Sequence, residues 1–217
     1  LKKIIDTVGG FIIWGGSVNL APADDKIIHV EHPLSIDAEG QMLASIMAKK
    51  ASVGATHLLV EIPIGKGAKV PNKKRAKHLA RHFGELGTLL GIKIKTIITD
   101  GSQPIGKGIG PVLEARDVIW ALKGDCKAPT DLVAKSINQA GILLEFTGKA
   151  KPGKGKALAH QLLTTGAAYG AMCRIVEAQG GNMPNPEILV PAHKKHTLKA
   201  YKTGKIKTIE TELIAKV

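Results

Sequence analysis

The stretch HLLVEIPIGKGAKVPNKKRAKHLARHFGELGTLLGIKIKTIITD, residues 57–100, decides the fold. It opens on an apolar run of strand length at 57–63, read as a buried strand, and closes on a second apolar run at 92–100. Between them lie the turn IGKGAKV and a segment that predicts a helix over about 73–90. A strand, a helix and a strand in this order form a βαβ unit, whose crossover makes the two strands parallel. The class that follows is α/β, a mostly parallel or mixed sheet flanked by helices. Substrate sites of such sheets lie outside the carboxyl ends of the strands, here the loops after Pro63 and after Asp100.

Upstream, Leu43, Ala44, Ile46 and Met47 recur at helical spacing and predict a helix from about Asp37 to Ser52. Residues 27–31 read as a short extended segment, APADD before them as a connection, FIIW at 11–14 as a short buried strand, and 2–8 as the end of a helix. Downstream, GSQPIGKGIGP is a Gly- and Pro-rich loop, 112–122 and 129–139 read as helices, and 141–146 as a brief apolar run. A long Ala-rich helix is expected over 155–179, with Gly166 and Gly170 permitting a neighbour's close approach. IKTIETELIAKV at 206–217 alternates as a strand would. The rhythm of the α/β run is broken in the first part, where a short segment belongs to a separate helical domain. The division expected is 1–20 as the end of an α/β segment, 21–54 as the crossing into the helical domain and its helix, 55–191 as the main α/β domain, and 192–217 as the truncated start of a C-terminal domain. Both ends read as cut, making the chain part of a longer polypeptide.

Composition supports a packed α/β chain. The 217 residues are 44% hydrophobic, enough for a core, and only 3% aromatic, with 25 glycines, which suits close helix-on-sheet packing better than a sandwich built on large rings. Two distant cysteines, Cys126 and Cys173, make neither a disulfide framework nor a metal-ligand spacing, so a reducing cytoplasm is the expected setting. No run approaches the roughly 18–20 apolar residues that span a bilayer as a helix. The net charge is +13, and basic residues cluster at 71–83, 148–156 and 192–207. Such runs could follow a phosphate backbone, which keeps a basic nucleic-acid-binding module as the alternative of another class. Stacking aromatics are scarce there, only Phe83 and Tyr201, so the reading goes against nucleic acid and towards solvated surface and an anionic small substrate.

Two constellations could carry chemistry. Asp37, Gln41, Ser45 and Lys49 stand at i, i+4 spacing and form a polar stripe that could gather an acid, a hydroxyl and a cation along one wall of a cleft. An amphipathic helix with an Asp at its N-terminus explains the same pattern without function. The turn IGKGAKV offers Lys66 and Lys69 beside glycines that allow a ligand to approach, but it lacks the ending of a Walker A loop. His29 and His32, His193 and His196, and His78 and His82 are paired in sequence. With no Cys pair and no HExxH, they give no catalytic metal, and none is expected.

WGGSVNLAPADD at 14–25, then HPLSIDAEGQMLASIMAKKASVGATHLLVEIPIGKGAKV at 32–70, then TDGSQPIGKGIGPVLEARDVIWALKG at 99–124 resemble, in order and spacing, the thymidine and pyrimidine nucleoside phosphorylase family, and within it the archaeal AMP-specific branch. The resemblance implies phosphorolysis, in which inorganic phosphate is a co-substrate and no cofactor is needed. In the AMP-specific branch AMP and phosphate give adenine and ribose 1,5-bisphosphate; thymidine or another pyrimidine nucleoside is the alternative substrate. Asp37 matches the proton donor, Ser45 and Lys69 match substrate-binding positions, and Lys49 matches a lysine that contacts the base in pyrimidine-specific relatives. An unperturbed Asp has a pKa near ~3.9, so a donor role near neutrality needs burial or a neighbouring anion. The family's Gly-rich phosphate loop is found nowhere in residues 1–217, and where pyrimidine relatives place a base-contacting arginine an ungapped match gives Val30. The resemblance thus implies a central to C-terminal portion that is inactive alone, and a homo-oligomer at full length.

Overall fold

In the computed structural model, which describes residues 2–13, 22–31, 39–192 and 194–214, the strand–helix–strand unit stands where the sequence predicts it. β1 spans His57–Ile64, α4 Lys73–Leu90 and β2 Lys93–Asp100. Among the described residues the sheet has two strands, paired parallel with His57 opposite Lys93 and Ile64 opposite Asp100. α4 is fixed at both ends. Asn72 caps its start by accepting the Arg75 N–H at 3.0 Å, and Gly91 closes it in the left-handed region at φ 67°.

Among the described residues three helices precede the sheet in the chain: α1, Lys2–Val8; α2, Pro22–Glu31; and α3, Glu39–Ser52. Seven elements follow. Among the described residues they are α5 at Pro111–Lys123, α6 at Thr130–Phe146, α7 at Gly155–Thr164, α8 at Ala167–Ala178, a 3-10 turn at Pro186–Ile188, an irregular tail, and α9 at Thr211–Ile214. The chain divides into two compact units, Ile13–Ser102 and a second made of Leu1–Ile12 with Gln103–Val217.

The core of the first of these units is built on one face of the sheet. Leu58, Val60, Ile62 and Ile64 of β1 alternate with Ile94 and Ile98 of β2 on that face, under Leu43 and Met47 of α3 and Ala76, Leu79 and Phe83 of α4. The strand expected to be buried is only half so. Ile62 alone is fully buried in β1, and on the other face Thr99 Oγ1 donates to Glu61 Oε1 at 2.6 Å.

The second unit is helical among its described residues. α1 packs on α8, α6 on α7, and α5 on α8 and on the 3-10 turn. Trp120 of α5 donates its indole N–H to Glu187 Oε1 at 2.9 Å while Lys127 pairs with Glu187 Oε2 at 2.8 Å. These bonds hold the Glu187 carboxyl below its ordinary range and, chiefly through the hydrogen bond, raise Lys127. Buried Asp117 accepts the N–H groups of Lys107 and Gly108, each at 2.7 Å, and so orders the loop after β2.

Several local readings are corrected. Residues 22–31 are helical rather than a connection and an extended piece: Pro22 occupies the first helical position, where its fixed φ and missing N–H are tolerated. Residues 11–13 form no strand; Trp14 lies outside the described residues. The apolar run at 141–146 continues α6. The helix expected over 155–179 is two, broken at Gly166, whose φ of 78° is left-handed. Of the alternating C-terminal segment, residues 206–210 are coil and Thr211–Ile214 form α9, while 215–217 lie outside the described residues.

Candidate functional site

Three of the four residues in the polar stripe of α3 lie among the described residues, and all three reach one carboxylate. Gln41 Nε2 donates to Asp24 Oδ1 at 3.1 Å, Ser45 Oγ to Asp24 Oδ2 at 2.7 Å, and Lys49 Nζ lies 3.0 Å from the same oxygen. Asp24 stands on α2 and is 7% exposed. Burial pushes its carboxyl up, but the hydrogen bonds of Ser45, Lys49 and Gln41 with the Lys49 charge prevail and hold it below its ordinary 3.8. The i, i+4 spacing of the stripe is what makes this possible, since it brings one donor per turn to the same side of α3. Sequence reading missed Asp24. Its only local signal was an acid in the first turn after Pro22, and its partners lie 17 or more residues away.

Lys69 lies elsewhere in the same unit. It follows the carboxyl end of β1 in a tight turn, closed by the Ala68 N–H donating to the Gly65 carbonyl at 3.1 Å and the Gly65 N–H to the Val70 carbonyl at 3.3 Å. With Glu39 and Met42 of α3, Val70, and Arg75 and Leu79 of α4, it lines a cavity of about 40 Å³. The turn therefore stands where parallel sheets present their ligands. Asp37 lies outside the described residues, two positions before the start of α3. α3 thus presents two groups: Gln41, Ser45 and Lys49 to Asp24, and Glu39 and Met42 to the cavity of Lys69.

A cavity of about 1090 Å³ lies in the other unit between α5, α6, α7 and α8. Its lining is mainly apolar, with Leu122, Val133, Ile137, Leu163 and Tyr169, and Ser45, Lys49 and Lys69 take no part in it. Size alone does not mark the site. No helix among the described residues is long and apolar enough to cross a membrane.

No family model matches the chain. Individual proteins do, over its whole length. It is 43% identical over 217 residues to the AMP phosphorylase of Methanococcus aeolicus and 45% identical over 218 residues to that of Pyrococcus furiosus, covering all of this chain and 43% of each relative. It is also 44% identical over 217 residues to a Legionella pneumophila protein named, provisionally, as a thymidine phosphorylase, of which it covers 41%. The chain spans about two fifths of the length of these relatives. With such identity along every part of its length, the chain belongs to the family of AMP and thymidine phosphorylases.

Proposed function

We propose that the full-length protein carries out the phosphorolysis of AMP, releasing adenine and ribose 1,5-bisphosphate. The observation that carries this reading is the identity of 43–45% to proteins named AMP phosphorylase across the whole chain. A phosphate oxygen forms a bond to the anomeric carbon as the bond from that carbon to the base breaks, and the electron pair leaves with adenine. Asp37 donates the proton the leaving base takes up. Lys69, on the turn after β1, neutralises substrate phosphate, and Ser45 and Lys49 contact ribose or base. Phosphate enters as co-substrate, and the reaction needs no further cofactor. The setting is cytoplasmic and the full-length protein a homo-oligomer.

The Asp24 cluster supports a specific role for Ser45. Its hydroxyl hydrogen goes to Asp24 at 2.7 Å, so towards a substrate it offers acceptor lone pairs. Asp24 also sets the direction of Lys49, which ties substrate contacts on α3 to a residue on α2.

Phosphorolysis of thymidine is the second reading, favoured by the Legionella relative. Rates for AMP, CMP, UMP and thymidine, measured with the full-length protein and phosphate, separate the two. AMP is expected to have the highest kcat/KM; a preference for thymidine would replace the first reading with the second.

A further inference from the structure

α4 places His78 and His82 one turn apart on the side that meets the first residue of α3. Their Nε2 atoms are 3.1 Å apart, and His78 Nε2 is 3.1 Å from Glu39 Oε1. One ligand atom from each of Glu39, His78 and His82 lies within 4.8 Å of the other two. Two ligands held about 2.05 Å from one zinc ion in a tetrahedron stand about 3.3 Å apart, so both short separations match neighbouring corners of one coordination sphere.

The surroundings suit the same purpose. His82 Nδ1 is 3.1 Å from Glu85 Oε2. An ionised carboxylate only accepts, so Nδ1 carries the hydrogen and Nε2 of the neutral ring presents its lone pair towards His78 and Glu39. A carboxylate behind a ligating histidine is the outer partner that fixes ring tautomer and direction in metal sites. Arg75 pairs with Oε2 of Glu39, which leaves Oε1 facing the histidines. His78, by contrast, must give up a proton. With the His82 lone pair directed at it, the contact between the two Nε2 atoms is a hydrogen bond only if His78 Nε2 is the donor, and Arg81 Nη2, 3.5 Å from His78 Nδ1, favours that tautomer weakly. The side chains of Glu39, His78 and His82 are 18%, 41% and 32% exposed, so an ion can enter from solvent.

We propose that Glu39, His78 and His82 bind a divalent first-row transition ion, with Zn²⁺ the best fit, in a site that staples the start of α3 to α4. The ion takes the place of the hydrogen on His78 Nε2, which leaves to solvent. Two imidazoles and one carboxylate are donors that Zn²⁺ and Co²⁺ accept in tetrahedral geometry, and water fills the fourth position. The site is a clamp on the helix that begins two residues after Asp37, and it takes no part in the reaction itself.

Full-length protein stripped by a chelator and titrated with ZnCl₂ by calorimetry and with CoCl₂ by visible absorption tests the proposal. One ion per chain should bind with a tetrahedral cobalt band and raise the melting temperature. His78→Ala and His82→Ala should each remove the band and that thermal shift, and Glu85→Gln should weaken zinc about tenfold by freeing the His82 ring. A double variant carrying His78→Ala and His82→Ala together keeps the other histidines of the chain and measures their background. Equal zinc binding by the unaltered protein and the double variant would overturn the proposal. So would the absence of a cobalt band in the unaltered protein, a reading that needs no substituted chain to fold.

Discussion

Asp24 is the residue on which the polar face of α3 converges, and its loss should be felt in stability before activity. Asp24→Ala leaves Gln41, Ser45 and Lys49 without the acceptor they share, a change expected to lower unfolding free energy by about 2–3 kcal/mol in a urea titration. The sign of its pH dependence follows from its lowered pKa. The unfolded chain takes up the proton first, so the contribution of Asp24 is whole above about pH 4 and is lost as pH falls through the ordinary value to the lower folded one. Asp24→Asn should therefore flatten the acid limb of the stability curve, and an unchanged limb would show that Asp24 is not held ionised. None of this was legible locally. A stripe at i, i+4 announces a face but not its partner, and here the partner was an acid on a segment read as a connection.

The elements of the first unit were readable where local signals agreed. β1 and β2 are apolar runs with turn residues after them, and α4 lies between an Asn cap and a Gly cap. The errors fall where tertiary contact decides. α6 runs through 141–146 because Gly141 lets α7 approach: a Cβ built there would stand 2.6 Å from the Lys156 nitrogen, and one on Gly155 only 2.0 Å from the Gly141 carbonyl oxygen. Gly155→Ala should thus force α6 and α7 apart and lower stability by about 3 kcal/mol or more. Gly166→Ala meets open space, and only its left-handed φ opposes it, for a loss of about 1–2 kcal/mol. Thermal unfolding of the two variants checks the order; an equal loss would mean that close approach at Gly155 adds nothing. The glycines thought to admit a neighbour were Gly166 and Gly170, whereas the contact is made by Gly141 and Gly155.

At the scale of the whole molecule, the charge of +13 takes on a narrower meaning. Arg75 of the basic run at 71–83 pairs with Glu39, Arg81 lies 3.6 Å from Glu85, and Lys69 beside that run lines the cavity with Glu39. Part of the charge thus works inside the first unit, next to the residues to which the substrate is assigned. The proposed reaction and its substrate were legible only through a resemblance carried by most of residues 1–191, since no spacing of residues in 217 positions names adenine. Proposed AMP phosphorolysis with Asp37 as acid is tested most directly by the release of adenine from AMP and phosphate by the full-length protein and its Asp37→Asn variant. Equimolar adenine and ribose 1,5-bisphosphate are expected from the unaltered protein and a kcat at least about 100-fold lower from the variant, with the KM for AMP little changed. No adenine from the unaltered enzyme, or full turnover by the variant, would contradict it.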